Sequence, residues 1–210
     1  MKINLREVVI AILIFVVVFA VVQVSIGSYK VEMTSMVPTF KPKDCIMVDK
    51  LTYRFRDPHR GEVVIVWPPR DRVPSKNPYI KRVIGLPGDT VRIEDGQVYI
   101  MKKGSDKFLK LSEDLPGVTE TPKCRNDGTW SVPKGHYFVL GDNRDESSDS
   151  SAWPDAFVPR KHFIGKTWLR YWPMSRFGLT PRYSYELEST SASLGILPAI
   201  ESSSLSVSTP

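Results

Sequence analysis

An unbroken apolar run near the amino terminus constrains this chain more than any other feature of its sequence. Every residue from Val8 to Val22 is apolar, and after Gln23 apolar and small residues continue to Gly27. The run approaches the ~20 residues that an α-helix needs to cross the hydrocarbon core of a bilayer. It lacks the polar face that a helix packed on a soluble domain presents to water. We therefore predict a transmembrane anchor over residues 8–27.

The charges beside this run predict its orientation. Lys2 and Arg6 precede it, and basic residues favour the cytoplasmic side of a span. We expect residues 1–7 in the cytoplasm and everything after Tyr29 on the far side of the membrane. A cleaved secretory signal is the alternative, but its apolar core is ~7–15 residues long and ends at small residues. This core is longer and is followed by a poor cleavage site, which favours an uncleaved anchor.

Beyond the anchor, the sequence is typical of a mostly β domain. Short apolar runs alternate with turn residues, and the chain contains 17 prolines, which suit turns and edge positions better than helix interiors. Asp95-Gly96 separates two such runs, which is a strong hairpin signal. No later segment has a sustained helical period. The predicted strands are Ile46–Val48, Val63–Trp67, Tyr79–Ile84, Val91–Ile93, Gln97–Ile100, His136–Leu140 and Thr167–Trp172.

Composition then divides the remainder of the chain. We expect one extracytoplasmic β domain over residues 28–188. Within it, residues 102–134 are polar and weakly periodic, which predicts a small insertion or flap. Residues 189–210 are rich in Ser, Thr and small residues, a composition that predicts a disordered tail.

Charge and metal-binding residues exclude several classes of function. The net charge of +6 is spread along the chain, so we expect no nucleic-acid partner and regard membrane lipid as the nearer one. The three histidines and two cysteines lack metal-ligand spacing, so we predict no metal and no cofactor. Cys45 and Cys124 could pair in an oxidising compartment. The sequence leaves that pairing and the oligomeric state open.

One lysine suggests chemistry on its own. Strand alternation places Lys81 on the same face as Val83 and Gly85. Desolvation on such a face disfavours the ammonium and lowers the pKa of the lysine, which makes it usable as a base. In the alternative, the stem packs while the amine reaches water. The segment alone favours this second interpretation.

Three motifs follow the anchor, and together they resemble a known family. They are SMVPT at 35–39, YIKRVIGLPGD at 79–89 and GDNRDESSDS at 141–150. Their order resembles the bacterial type I signal peptidases, or leader peptidases, from Val8 to about Trp172. The resemblance implies a signal-peptidase-like β domain and a membrane-anchored Ser/Lys protease that removes signal peptides from exported preproteins. It leaves open which preproteins are cut and whether the membrane is a cell membrane or of thylakoid type.

The resemblance implies roles for the catalytic residues. Ser35 would be the nucleophile and Lys81 the general base, which is the Ser–Lys variant of the nucleophile–base pair. This role favours the buried interpretation of Lys81. Ser147 would orient the lysine amine by a hydrogen bond.

The resemblance also implies supporting residues. Arg82 and Asp142 would form an ion pair that holds the loop carrying Ser147. Asp149, in the same motif as Asp142, would be a further supporting residue. Shallow pockets for small residues at the −1 and −3 positions of the substrate would be lined by Met36, Tyr79 and Ile80.

Three positions depart from the family pattern. Met33 lies two positions before the nucleophile, where the family often has Ser or Gly. Thr34 lies directly before the nucleophile, where the family often has Gly, and Ser151 stands where Arg is common. Met33 matters most, because a serine there donates to the oxyanion and methionine has no donor. These departures keep open an impaired anchored homologue that binds preproteins without cutting them. A self-cleaving protease of the repressor type is a further alternative, but such proteins are soluble and carry a DNA-binding module that is not seen here.

Overall fold

The chain folds as one long helix followed by β-strands, which confirms the predicted mostly β class. The computed structural model describes residues 4–69, 77–113, 123–181 and 185–189. Helix α1 (Leu5–Ser25) comes first, and a one-turn helix α2 (Thr52–Phe55) lies within the domain. The strands are β1 (Ile26–Lys30), β2 (Cys45–Asp49), β3 (Val63–Val66), β4 (Tyr79–Gly85), β5 (Thr90–Glu94), β6 (Gln97–Met101), β7 (Leu109–Glu113), β8 (Gly128–Ser131), β9 (His136–Leu140), β10 (Val158–Pro159), β11 (Phe163–Trp172), β12 (Gly178–Leu179) and β13 (Tyr185–Ser189).

Helix α1 passes into β1 with no intervening residue. None of its residues is buried, and in the described part of the chain it is the one helix long and apolar enough to cross a membrane. It begins at Leu5 and ends at Ser25, so its bounds differ from the predicted 8–27. Ile26 and Gly27 belong instead to β1, which pairs along its full length with β2.

A large antiparallel sheet places β4 deep in the domain. Its strand order is β1-β2-β11-β3-β4-β9-β10, with β12 paired to β11. Alternate residues of β3 pack in an apolar cluster that includes Met36 and Phe40. The remaining residues of β3 pack in a second apolar cluster. All four residues of β3 are therefore buried, as expected for a strand covered on both faces. Its neighbour β4 is buried from Lys81 to Gly85.

A single row of paired residues crosses this sheet from the helix to Lys81. Ile26 pairs with Asp49, Asp49 with Lys166, Lys166 with Val64, and Val64 with Lys81. Neighbouring strands lie ~4.8 Å apart, so the four steps span roughly 19 Å. Lys81 therefore lies in the row of the sheet at which the helix ends.

A second sheet, ordered β13-β7-β6-β5-β8, packs against the first. The predicted hairpin is present: Asp95 and Gly96, with φ of 53° and 75°, join β5 to β6. Strands β7 and β8 lie within residues 102–134, so the described part of this predicted insertion supplies two strands of the sheet. The apolar contact between the sheets includes Ile84, Val91, Ile93, Ile100, Phe138 and Leu140.

The carboxyl-terminal end of the described chain is β13, which pairs with β7. The predicted tail begins at Ser189, the last residue of this strand, and residues 190–210 lie outside the described residues. Cys45 and Cys124, whose pairing the sequence left open, are both free thiols.

Candidate active site

Ser35 lies on a turn-rich loop between β1 and β2. Met36 and Phe40 are fully buried in the core beneath this loop. Within the loop, the Val37 N–H donates to the Thr34 carbonyl at 3.0 Å, and the Phe40 N–H to the Met36 carbonyl at 2.8 Å. Buried side chains thus fix the loop on the sheet, while Ser35 stays half-buried at its surface.

Lys81 is buried on β4, with 3% of its surface exposed. Its Nζ donates to Ser147 Oγ at 2.9 Å and lies 5.8 Å from the centre of the Tyr79 ring. Burial lowers the pKa of Lys81 to about 8, against the opposing effect of the Asp149 and Asp142 charges. A larger fraction of this amine is therefore neutral near physiological pH than for an exposed lysine.

The third motif, together with Ser151, forms a loop over residues 141–151 that contacts both Ser35 and Lys81. A side chain at Gly141 would overlap Ser147 Oγ and bring its Cβ within 2.5 Å of the Ser35 carbonyl oxygen. Ser147 in turn accepts the hydrogen bond from Lys81. The Ser35 main chain and the Ser147 side chain thus both adjoin Gly141, and Ser147 connects this point to the Lys81 amine.

A buried ion pair connects this loop to β4. Arg82 Nε and Nη2 contact Asp142 Oδ1 and Oδ2 at 2.7 and 2.5 Å, and both side chains are fully buried. Thr39, from the loop that carries Ser35, donates to Asp142 Oδ2 at 2.5 Å. Asp142 therefore holds the 141–151 loop against the strand of Lys81 and against the loop of Ser35.

Asp149 closes the 141–151 loop on itself. Its carboxylate accepts hydrogen bonds from the Gly141 N–H at 2.9 Å, the Ser151 N–H at 3.1 Å and the Ser151 hydroxyl at 2.8 Å. Ser151 is one of the three departures from the family pattern. Its hydroxyl contributes directly to the closure of the loop.

The residues predicted to line a substrate pocket occupy different environments. Tyr79 and Ile80 are half-buried at the start of β4, next to Lys81. Met36 is fully buried in the core, so its side chain has no surface for contact with a substrate in this structure. Met33, two residues before Ser35, is 66% exposed.

Sequence reasoning assigned no role to Thr39 or Asn143. Thr39 stands in the first motif, so its motif was a signal that could have been followed. Asn143 bonds to the backbone carbonyls of Thr34 and Ser35. Asn143 stands in the third motif and so carried the same signal, but its main-chain partners have no residue type that spacing could reveal.

A separate cavity of about 730 Å³ lies at the start of β3, and none of the predicted site residues lines it. Its cations already have partners: Arg56 and Lys166 pair with Glu62, and Arg60 pairs with Asp89. Burial alone would raise the pKa of Glu62, but hydrogen bonds, first from Arg56, lower it to about 2. Each of these three cations is therefore already paired with a carboxylate.

Sequence comparisons relate the chain to proteins of known class. The profile of the family "Signal peptidase, peptidase S26" matches residues 5–172. A probable signal peptidase I-2 from Synechocystis is 42% identical over 149 residues, which span 70% of this chain and 63% of that protein. Signal peptidase IB from Staphylococcus aureus is 32% identical over 200 residues, which span 90% of this chain and 99% of that protein.

A solved structure was also matched. The crystal structure of a signal peptidase I from Enterococcus faecalis is 32% identical in sequence and superimposes with a TM-score of 0.41. The match covers 53% of this chain and 97% of that chain.

Proposed function

Because the chain belongs to the signal peptidase family, peptidase S26, we propose that it removes signal peptides from exported preproteins as a membrane-anchored serine endopeptidase. Ser35 is the nucleophile and Lys81 the general base. The observation that carries the proposal is the buried Lys81 amine, with a pKa of about 8 and a hydrogen bond to Ser147. At pH 7, a lysine of this pKa is neutral in roughly a tenth of molecules, against less than a thousandth for a free lysine.

The proposed reaction has two stages. As Ser35 Oγ bonds to the carbonyl carbon of the substrate, the hydroxyl proton passes to Lys81 Nζ. The C–N bond then breaks and Lys81 returns this proton to the leaving amine, which leaves an ester on Ser35. Lys81 next takes a proton from water as the water attacks the ester, and the proton passes to Ser35 Oγ when the ester breaks. Ser147 holds the amine in place throughout.

Tyr79 and Ile80 are proposed to contact the substrate, because they adjoin Lys81 and keep exposed surface. Met36 supports the same region from the core beneath it. We propose that these residues leave shallow pockets, which accept small side chains at the −1 and −3 positions of the preprotein.

Helix α1 is proposed as the membrane anchor, with the amino terminus in the cytoplasm and the β domain on the far side. Its length, its composition and the family support the anchor, and Arg6 before the apolar run supports the orientation. A substrate in the same membrane then meets the enzyme at an effective concentration raised by their confinement.

Cleavage of a model preprotein tests this proposal. Detergent-solubilised protein should cut a preprotein whose signal peptide ends in Ala-x-Ala immediately after the last alanine, as mapped by mass spectrometry. Replacing the −1 alanine by phenylalanine should stop processing, because a shallow pocket excludes the ring. Ser35→Ala is the matched control and should leave the preprotein intact. Binding of the preprotein by the wild-type protein without cleavage would support the impaired homologue instead.

The pH dependence of cleavage tests the role of Lys81. The neutral amine is the active form and burial depresses its pKa, so kcat/KM should rise with pH to a half-maximum near 8. An unperturbed lysine would place this midpoint near ~10.4. Titration of the Lys81 amine by NMR in the Ser35→Ala variant provides an independent measurement. A midpoint near the unperturbed value in both experiments would rule out the desolvated base.

A further inference from the structure

We propose that Asn143 is a positioning residue for the nucleophile, which fixes the Thr34–Ser35 peptide group and aims the Ser35 N–H at the oxyanion. The inference rests on the proposed function, because an oxyanion forms only if Ser35 attacks a carbonyl.

Asn143 holds the two carbonyl groups on either side of Ser35. Its backbone N–H donates to the Ser35 carbonyl at 3.0 Å, and its Nδ2 donates to the Thr34 carbonyl at 3.3 Å. The same Nδ2 donates to Glu146 Oε2 at 3.2 Å, which orients the amide. One residue of the 141–151 loop thus contacts the main chain on both sides of the nucleophile.

The Thr34 carbonyl accepts hydrogen bonds from the Val37 N–H at 3.0 Å and from Asn143 Nδ2 at 3.3 Å, and together these bonds fix the direction of the Ser35 N–H. The peptide group is planar and trans, so its C=O and N–H point in opposite directions within one plane. A donor that holds the carbonyl therefore holds the N–H as well. A hydrogen bond to the carbonyl oxygen also polarises the peptide and strengthens its N–H as a donor.

Met33, two residues before the nucleophile, makes the Ser35 N–H unusually important in this chain. Met33 has no side-chain donor for an oxyanion, and its side chain is 66% exposed. Loss of a single oxyanion donor costs ~10²–10³ in turnover in well-studied hydrolases. The orientation of the Ser35 N–H therefore carries more of the stabilisation here than it would beside a serine.

The 141–151 loop then positions each part of the site with a different side chain. Asp142 binds Arg82, the neighbour of Lys81 on β4. Ser147 accepts the hydrogen bond from the Lys81 amine. Asn143 binds the peptide group of the nucleophile. A side-chain substitution at 143 leaves the backbone bond to Ser35 in place, so it tests the amide alone.

Kinetics of Asn143→Ala and Asn143→Leu in the full-length chain test the proposal. Leucine has the same branched arrangement of four side-chain heavy atoms as asparagine and cannot donate, while alanine removes the group altogether. Both variants should lower kcat on the model preprotein about 10- to 100-fold, the scale expected for a misplaced reacting group. KM and the acid limb of the pH–rate profile should stay as in the wild type, because neither the pocket nor Lys81 is altered. Asp145→Ala, an exposed site in the same loop, is the control and should cleave at the wild-type rate.

A peptide aldehyde ending in Ala-x-alaninal separates positioning from a general loss of structure. Ser35 adds to its carbonyl and forms a tetrahedral adduct that carries the oxyanion. Its inhibition constant should rise in both Asn143 variants by the factor by which kcat falls, with thermal midpoints close to the wild type. A kcat within twofold of the wild type would overturn the proposal. If KM, the acid limb of the pH–rate profile and the thermal midpoint all changed together with kcat, the loop would have collapsed. That result would also overturn the proposal.

The failure of this inference can be told apart from failure of the proposed function. If the wild-type protein cleaves the preprotein and Ser35→Ala does not, the function stands whatever the Asn143 variants do. If the wild-type protein does not cleave, the proposed function fails and the inference fails with it.

Discussion

A Lys81→Arg variant should lose on the order of 10⁶-fold in kcat, the loss seen when the base of a nucleophile–base pair is removed. The reason is chemical rather than steric. A guanidinium stays protonated in proteins, so it cannot take the Ser35 proton at any pH at which the fold survives. The position itself is buried, with 3% of Lys81 exposed, so water cannot readily take over the role. Single-turnover cleavage of the model preprotein measures the loss.

Lys81→Met is the matched control for this variant. It keeps an unbranched stem, removes the amine and should be as inactive as Lys81→Arg. Its free energy of unfolding should equal or exceed that of the wild type, because a desolvated amine is replaced by an apolar group. If Lys81→Arg retains a tenth of wild-type activity, Lys81 is not the base.

Asp142→Ala should have the largest effect on stability among substitutions in the site. It leaves Arg82 fully buried and without the carboxylate that contacts two of its nitrogens. Breaking such a buried pair from one side costs about 3–5 kcal/mol, a large part of the ~5–15 kcal/mol that stabilises an ordinary domain. Urea unfolding followed by circular dichroism should show a clear shift of the midpoint to lower urea concentration.

An exposed ion pair in the same protein provides the comparison. Asp57 contacts Arg160 at 2.9 Å with 77% of its side chain exposed, so Asp57→Ala should cost no more than ~1 kcal/mol. Replacing both buried partners, as Arg82→Met with Asp142→Leu, should recover much of the stability lost in Asp142→Ala. Equal midpoints for Asp142→Ala and Asp57→Ala would contradict the assigned importance of the buried pair.

The strands that the sequence predicted are those with a dense apolar run. Val63 to Val66 are all β-branched and buried, so local composition and final environment agree. Strand β1 was not predicted, because Ile26 and Gly27 continue the apolar run of the helix. Strands β7 and β8 were missed because neither contains a dense apolar run, and each pairs with a strand distant in sequence, β7 with β13 and β8 with β5. Such strands form through long-range pairing, which a local pattern does not record.

The burial of Lys81 shows a similar limit. The residues around Lys81 favoured a lysine whose amine reaches water. Only the resemblance to the signal peptidases favoured a buried lysine. The residue that binds its amine, Ser147, lies 66 positions later in the chain. Desolvation at Lys81 thus depends on a distant loop, so the residues around it could not predict it. Asn143 presents the extreme case, since its partners in the loop of Ser35 are main-chain carbonyls.

If helix α1 is the membrane anchor as proposed, its direct junction with strand β1 has an entropic consequence for cleavage of a substrate held in the same membrane. A flexible linker would let the domain rotate freely above the bilayer, and each productive encounter would then cost orientational entropy. Here Ile26 is already paired in the sheet one residue after the helix ends. The rotational freedom of the domain relative to its helix is therefore lost once, when the chain folds, rather than at every turnover.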